Sequence, residues 1–242
     1  MKINLILNLK KLIGEKMQKQ RFCLDTSAFT EPSVRKAVGV KTITELTDKV
    51  MDLIAEARIK LNISCHIPYP TVYNELMGFL ENEKCPRDVI VKVDTWLVKK
   101  TPNRYEIKIP SEIFYEYVKD LRERINKGMR IGEEHIIRTS DMVYELSKRH
   151  PEMSKNEIIN KVLSKTINTF RNKYRSALRV GTLDSAPDLD VLLLAKELDA
   201  AVVASDGGIE KWAQRLGLRF VDASDFPFML EEYLKHNERH RR

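Results

Sequence analysis

The run Ala200-Ala201-Val202-Val203-Ala204 is apolar throughout and stops abruptly at Ser205-Asp206. A short strand with no polar face has to be covered on both sides, as in a parallel sheet sandwiched between helices. That requirement commits the chain to an α/β arrangement. It also fixes where chemistry can sit, because open parallel sheets bind ligands in the crevice outside the carboxyl ends of their strands. Asp206 falls at such an end. The surrounding stretch, GTLDSAPDLDVLLLAKELDAAVVASDGGIEKWAQRLGLRFVDASDF from Gly181 to Phe226, reads as loop, helix, buried strand, helix and short strand. Asp184, Asp188 and Asp190 precede the strand. Ser185-Ala186-Pro187-Asp188 has the composition of a capped helix start, with Asp188 in the first turn. Asp190 is two residues further on, so its side chain points in a different direction from that of Asp188.

Two β-α units upstream repeat the pattern. Arg21-Phe22-Cys23-Leu24 is strand-like and ends in Asp25, after which Thr26 or Ser27 can cap a helix. An aspartate there serves equally as a helix cap or as a site residue. Lys41 to Lys60 carries an apolar helical stripe, and Leu61 to Pro68 (LNISCHIP) reads as the next strand, with His66 a strand residue and not a ligand. Thr71 is placed as an N-cap, and Glu75 in the first turn beyond the strand, where acids are also favoured by the helix dipole alone. Pro86 to Lys99 is a further amphipathic helix, and Tyr105 to Ile109 (YEIKI) alternates like a short exposed strand.

Asp25, Glu75, Asp188 and Asp206 thus all fall at strand ends or in the adjoining helix turns. Carboxylates converging without cationic partners repel one another, and a bound divalent cation removes that penalty. Oxygen-only ligation points to Mg²⁺ or Mn²⁺, which activate water and stabilise charge in phosphodiester cleavage. Cys23, Cys65 and Cys85 have no paired spacing, which speaks against zinc and for a reducing compartment, hence the cytoplasm. No apolar run approaches the length of a membrane span, and residues 1–20 lack the pattern of a signal peptide. The formal net charge of +7 favours anionic partners, nucleic acid foremost, although Lys-rich surfaces also occur in thermophiles.

From Ser111 to Val180 no strand pattern survives. Charged helices are expected over Glu112 to Lys127, Glu133 to His150 and Ser154 to Val180, with Gly128 and Gly132 separating the first two. Arg171, Arg175 and Arg179 recur at spacing four, with Lys173 and Tyr174 between them. Spacing four keeps guanidinium groups on nearly one helix face, an arrangement that suits a row of phosphates. The same residues read equally well as a solvated face or a salt-bridge ladder.

LDTSAF around Asp25, the helix bearing Glu75, DLDVLLLAKEL and VVASDGG together resemble the four acidic motifs of PIN-domain nucleases. With RTSD at Arg138 to Asp141, the inserted helices, FRNKYRSALRVGTLDSAPDLDVLLLAKEL and SDGGIEKWAQRLGLRF added, the chain after residue 20 resembles the HARP family of minimal, protein-only ribonuclease P enzymes. The resemblance implies a three-layer α/β/α domain with a short parallel sheet over residues 21–110 and 181–232. It also implies an all-helical insertion over 111–180 used for RNA binding and oligomerisation, whereas the N-terminal extension over 1–20 and the basic tail over 233–242 depart from the family pattern. It implies Asp25, Asp184, Asp188 and Asp206 as catalytic and metal-site acids, with Glu75 and Asp190 as further candidates, and Mg²⁺ or Mn²⁺ as cofactor. Arg171 and Arg175, with Lys173 and Arg179 on the same helix, are implied as contacts for precursor tRNA. The expected activity is removal of the 5′ leader by a homodimer or higher oligomer, without an RNA subunit or a membrane. Two other readings use the same residues: a toxin-like endoribonuclease acting on mRNA or mature tRNA, and a non-catalytic RNA-binding scaffold.

Overall fold

The computed structural model describes residues 20–179, 183 and 185–241. The chain divides into two compact units, Met1–Lys108 with Ser185–Arg242, and Ile109–Asp184. The first unit is α/β. Strand β1 (Arg21–Leu24) leads through Asp25 into a short helix α1 (Ser27–Thr30), then α2 (Pro32–Val38) and α3 (Ile43–Leu61). A capping box starts α3: Thr42 Oγ1 accepts from the Glu45 N–H at 3.1 Å, and Glu45 accepts from the Thr42 N–H at 3.3 Å. Asn62 in the left-handed region ends it (φ 56°).

Strand β2 (Ser64–Pro68), helix α4 (Thr71–Asn82), helix α5 (Arg87–Trp96) and edge strand β3 (Val98–Lys100) come next. The edge strand is therefore Val-Lys-Lys and not the alternating Tyr105 to Ile109. The latter folds into a turn in which the Glu106 and Ile107 N–H groups donate to the Asn103 carbonyl. β3 needs no apolar face because it is held through its backbone to β2, and charged side chains suit an exposed edge.

In the second unit, α6 runs without a break from Ser111 to Arg149, 39 residues and about 58 Å at helical rise. Gly128 and Gly132 do not end it. A Cβ at Gly128 would lie 3.0 Å from the Tyr174 ring, so this glycine marks a close approach to helix α7 (Lys155–Arg179). His150 terminates α6, as the following Pro151 dictates. Ser154 and Glu157 form a reciprocal cap at the start of α7. His135 stands edge-on to Phe170, and Phe170 packs on Tyr174, so an aromatic row joins the two helices.

The chain returns to the first unit with α8 (Ala186–Leu198), β4 (Ala201–Ala204), α9 (Gly207–Arg215), β5 (Phe220–Asp222) and α10 (Phe226–Arg241). The sheet has the order β3-β2-β1-β4-β5 and all its pairs are parallel. Helices α3, α5 and α10 cover one face, while α4, α8 and α9 cover the other, which makes three layers. Phe22, Cys23, Leu24, Cys65, Ile67, Val202 and Val203 are buried between them. Among the described residues α10 runs through the basic C-terminal stretch to Arg241, and Leu230 and Leu234 bury its inner side. No described helix is long and apolar enough to cross a membrane.

Candidate active site

Because every strand is parallel, their carboxyl ends share one edge, and the reversal of strand order between β1 and β4 opens a crevice there. Asp25, Glu75, Asp188 and Asp206 line one open cavity of about 560 Å³ at this crevice, with Ser27, Ser185 and Ser205 beside them. No described lysine or arginine lines it. These four acids come from four places in the chain, the end of β1, α4, the first turn of α8 and the end of β4, and Glu31 at the start of α2 lines the cavity as a fifth that the sequence did not single out.

Asp25 is nearly buried and is held on both sides. Its N–H donates to the Val203 carbonyl at 3.0 Å, and its Oδ2 accepts from the Ser27 N–H at 3.0 Å and the Ser27 hydroxyl at 2.6 Å. The Ser205 N–H in turn donates to Ser27 Oγ at 3.0 Å, tying the end of β4 to the end of β1. Burial pushes the Asp25 carboxyl above its ordinary range and the nearby Asp206 charge adds to this, while the Ser27 and Thr26 hydrogen bonds act in the opposite direction. Glu75 is raised too, by partial burial first and then by Asp25.

Asp206 caps α9: its Oδ1 accepts from the Gly208 N–H at 2.6 Å and the Ile209 N–H at 3.1 Å. Gly207 and Gly208 thus serve as the first residues of a helix. The Ser185 hydroxyl caps α8 by accepting from the Asp188 N–H at 3.2 Å, which sets Asp188 in the first turn as its sequence implies. Glu75 lies in the second turn of α4, not the first, since that helix begins at Thr71. Thr71 does not cap it; its hydroxyl donates to Asp190 instead.

Asp190 is the correction among the acids. It does not line the cavity. Its carboxylate is 1% exposed and is held by Arg104 through Nε at 2.9 Å and Nη2 at 2.6 Å, with Thr71 Oγ1 at 2.8 Å. Two residues along a helix turn it away from Asp188, and its partners are already complete. Asp184 lies outside the described residues. In the helical unit Arg171 and Arg175 are exposed on α7, but Lys173 lies off their row, with its ammonium 3.5 Å from Glu134 on α6. The Arg179 side chain lies outside the described part. Ser27 and Ser205 are the residues whose roles the sequence left unread. The Asp-x-Ser spacing, which favours a local turn closed by the side chains, is the signal that carried the first.

Among the described residues, no three His, Cys, Asp or Glu side chains stand close enough together to hold a metal ion. The chemistry of the donor set nevertheless fits one. Every acid offers hard oxygen, and two of them are raised by burial and by the charge of a neighbouring acid.

A fold and cavity of this kind define a class. Residues 21–235 match the family model described as PINc domain ribonuclease, so the chain is an endoribonuclease of that class, and such domains generally depend on a divalent metal. A protein of Methanocaldococcus jannaschii named RNA-free ribonuclease P is 94% identical over 230 residues, which cover 95% of this chain and 99% of the relative. Proteins of the same name from Methanococcus vannielii and Methanopyrus kandleri are 70% and 55% identical, each over 90% of this chain and 97% and 95% of their own lengths. The chain belongs to the RNA-free ribonuclease P family.

Proposed function

We propose that this protein removes the 5′ leader from precursor tRNA by hydrolysis of one phosphodiester bond, leaving the 5′-phosphate of the mature tRNA. The observation that carries the reading is the meeting of Asp25, Glu75, Asp188 and Asp206 at one sheet edge, in a chain of this family. Asp25, Asp188 and Asp206, which share the cavity without standing close enough for three of them to ligate directly, would hold Mg²⁺ or Mn²⁺ partly through bound water, with Glu75 and Asp184 as further ligands. When bound, the ion supplies an activated water and offsets the charge that develops on the phosphate. The chain's own part is positional. Ser27 keeps the Asp25 carboxylate aimed and favours its ionised form, and the Gly208 and Ile209 N–H groups fix one oxygen of Asp206.

Arg171 and Arg175, with Arg179 on the same helix, would contact phosphates of the tRNA, and shape rather than sequence would be read, as structured RNA requires. No RNA subunit takes part, and the cytoplasm is the site of action. The helical unit would pair with a second copy to form a homodimer and larger assemblies. An apolar groove of about 800 Å³ lined by Ile136, Tyr144, Leu163, Ile167 and Phe170 supports this, because soluble proteins seldom leave such surface uncovered.

Incubation with 5′-labelled precursor tRNA and Mg²⁺ tests the reading. Cleavage at the mature 5′ end, abolished by Asp188→Ala, is the expected result. Cleavage of mRNA or of mature tRNA in its place would move the protein to the toxin-like class, and binding without cleavage would make it a scaffold.

A further inference from the structure

Glu31 is the one acid of the cavity wall that follows no strand and belongs to none of the acidic motifs. It stands between α1 and α2, one helical turn beyond Ser27, whose carbonyl accepts from the Glu31 N–H at 3.2 Å. Pro32 follows as the first residue of α2, so the backbone is fixed on both sides of Glu31. The position is that of a helix N-cap, where Ser, Thr, Asp or Asn would bond the free N–H groups. The Glu31 side chain makes no such bond, and among the described residues it has no hydrogen-bond or ion-pair partner. Neither capping nor a salt bridge accounts for it.

Most other polar groups of the wall are engaged. Ser27 donates to Asp25, the Thr30 hydroxyl donates to the Thr26 carbonyl at 3.0 Å, Ser185 accepts from the Asp188 N–H, and Asp206 caps α9. The Ser205 hydroxyl is different: its oxygen is buried with no partner among the described residues. A buried hydroxyl in that state marks a place where ordered water or an ion completes the wall. Charge points the same way. Five carboxyl groups share a cavity that no described lysine or arginine lines, and a phosphate can enter it only beside cations. Because no three of the described acids stand close enough to hold one ion directly, part of the ring has to act through water. Mg²⁺ favours this, since it keeps several waters and takes only one or two carboxylates.

We propose that Glu31 is a positioning residue of the metal site, accepting hydrogen bonds from the water shell of the divalent ion. The inference rests on the metal-dependent reading of this cavity and adds to it a carboxylate outside the four acidic motifs. Its test is a titration of the metal-free full chain with Mn²⁺, the free ion being counted by its paramagnetic signal, for the unaltered protein, Glu31→Gln and Glu31→Asp. Glu31→Gln is expected to raise the Mn²⁺ dissociation constant about tenfold. Its metal-free melting temperature should not fall, because a repelling charge has been removed. Glu31→Asp keeps the charge and should regain part of the affinity. Cleavage of precursor tRNA is followed against Mg²⁺ in parallel: Glu31→Gln should need about tenfold more Mg²⁺ for half its maximal rate and approach the parent's rate at saturation. Unchanged Mn²⁺ affinity in Glu31→Gln overturns the proposal. So does a loss of affinity joined to a lower metal-free melting temperature, which would make Glu31 a structural residue. A weakened Mn²⁺ site in a protein that leaves precursor tRNA intact supports the role of Glu31 and sinks the substrate reading alone. An unaltered protein that binds no Mn²⁺ sinks the metal-dependent reading and this proposal with it.

Discussion

The Ser27 hydroxyl donates to Asp25 Oδ2 at 2.6 Å while accepting from the Ser205 N–H at 3.0 Å, so one hydroxyl joins the ends of two strands to the most buried acid of the site. The bond favours the ionised form of a carboxyl that burial pushes above its ordinary range.

Ser27→Ala removes that donor and leaves the backbone N–H groups of Ser27 and Thr26 on Asp25. The folded carboxyl then titrates higher, and the acid limb of the pH–rate profile moves to higher pH. Cleavage at neutral pH is expected to fall about 10- to 100-fold, the range of an outer-shell partner. Ser27→Thr keeps the hydroxyl and should restore most of the rate. An unmoved acid limb in Ser27→Ala would mean that the hydroxyl does not tune Asp25.

Asp25 and Glu75 titrate above their ordinary values in the metal-free fold. The folded state therefore holds their protons more tightly than the unfolded chain. The stability tied to them is complete below the ordinary carboxylate range and is lost as pH rises through the raised values. Metal-free protein should accordingly melt lower at pH 7 than just above the ordinary Asp and Glu values, and Asp25→Asn should raise its melting temperature at pH 7 by a few degrees. Mg²⁺ should raise the melting temperature of the unaltered protein and not that of Asp25→Asn. A melting temperature of Asp25→Asn in chelator that falls below the parent's would refute this linkage.

Much of this geometry was legible because each acid follows an apolar run that can only be a buried strand. Ala200 to Ala204 and Arg21 to Leu24 fix Asp206 and Asp25 in this way. Ser185-Ala186-Pro187 fixes Asp188 through ordinary capping. Asp190 was misplaced as a candidate ligand because its partner, Arg104, is 86 residues away, and a pairing of that separation leaves no local pattern. The same loop made YEIKI look like a strand, since alternation does not reveal that Asn103 and Arg104 are tied down elsewhere. Gly128 was misread as a helix break for a related reason: the ring that needs its missing Cβ belongs to Tyr174 on the next helix.

Asp190 and Arg104 make an asymmetric pair, the acid 1% exposed and the arginine 52%. Arg104→Ala strands a buried charge, a cost of about 3 kcal/mol or more. Asp190→Asn keeps Thr71 and part of the Arg104 contact, and Arg104 can turn to water, so its cost is smaller. Urea denaturation should rank Arg104→Ala below Asp190→Asn. Because Asp190 does not line the acid cavity, Asp190→Asn should retain metal-dependent cleavage; loss of metal affinity in that variant would return Asp190 to the ligand set.

Gly128 and Gly132 occupy the same helix but different surroundings. A helix-interior glycine costs about 1 kcal/mol relative to alanine, so each substitution begins with the same gain. At Gly132 a Cβ would meet nothing within 4 Å, whereas at Gly128 it would come 3.0 Å from Tyr174 Cε2, a ring already packed on Phe170. Gly132→Ala is therefore expected to stabilise the helical unit, and Gly128→Ala to lose that gain because the Tyr174 ring must move. Melting of the two variants side by side separates close packing from helix propensity: equal stabilisation would mean that the approach of α7 does not require a glycine.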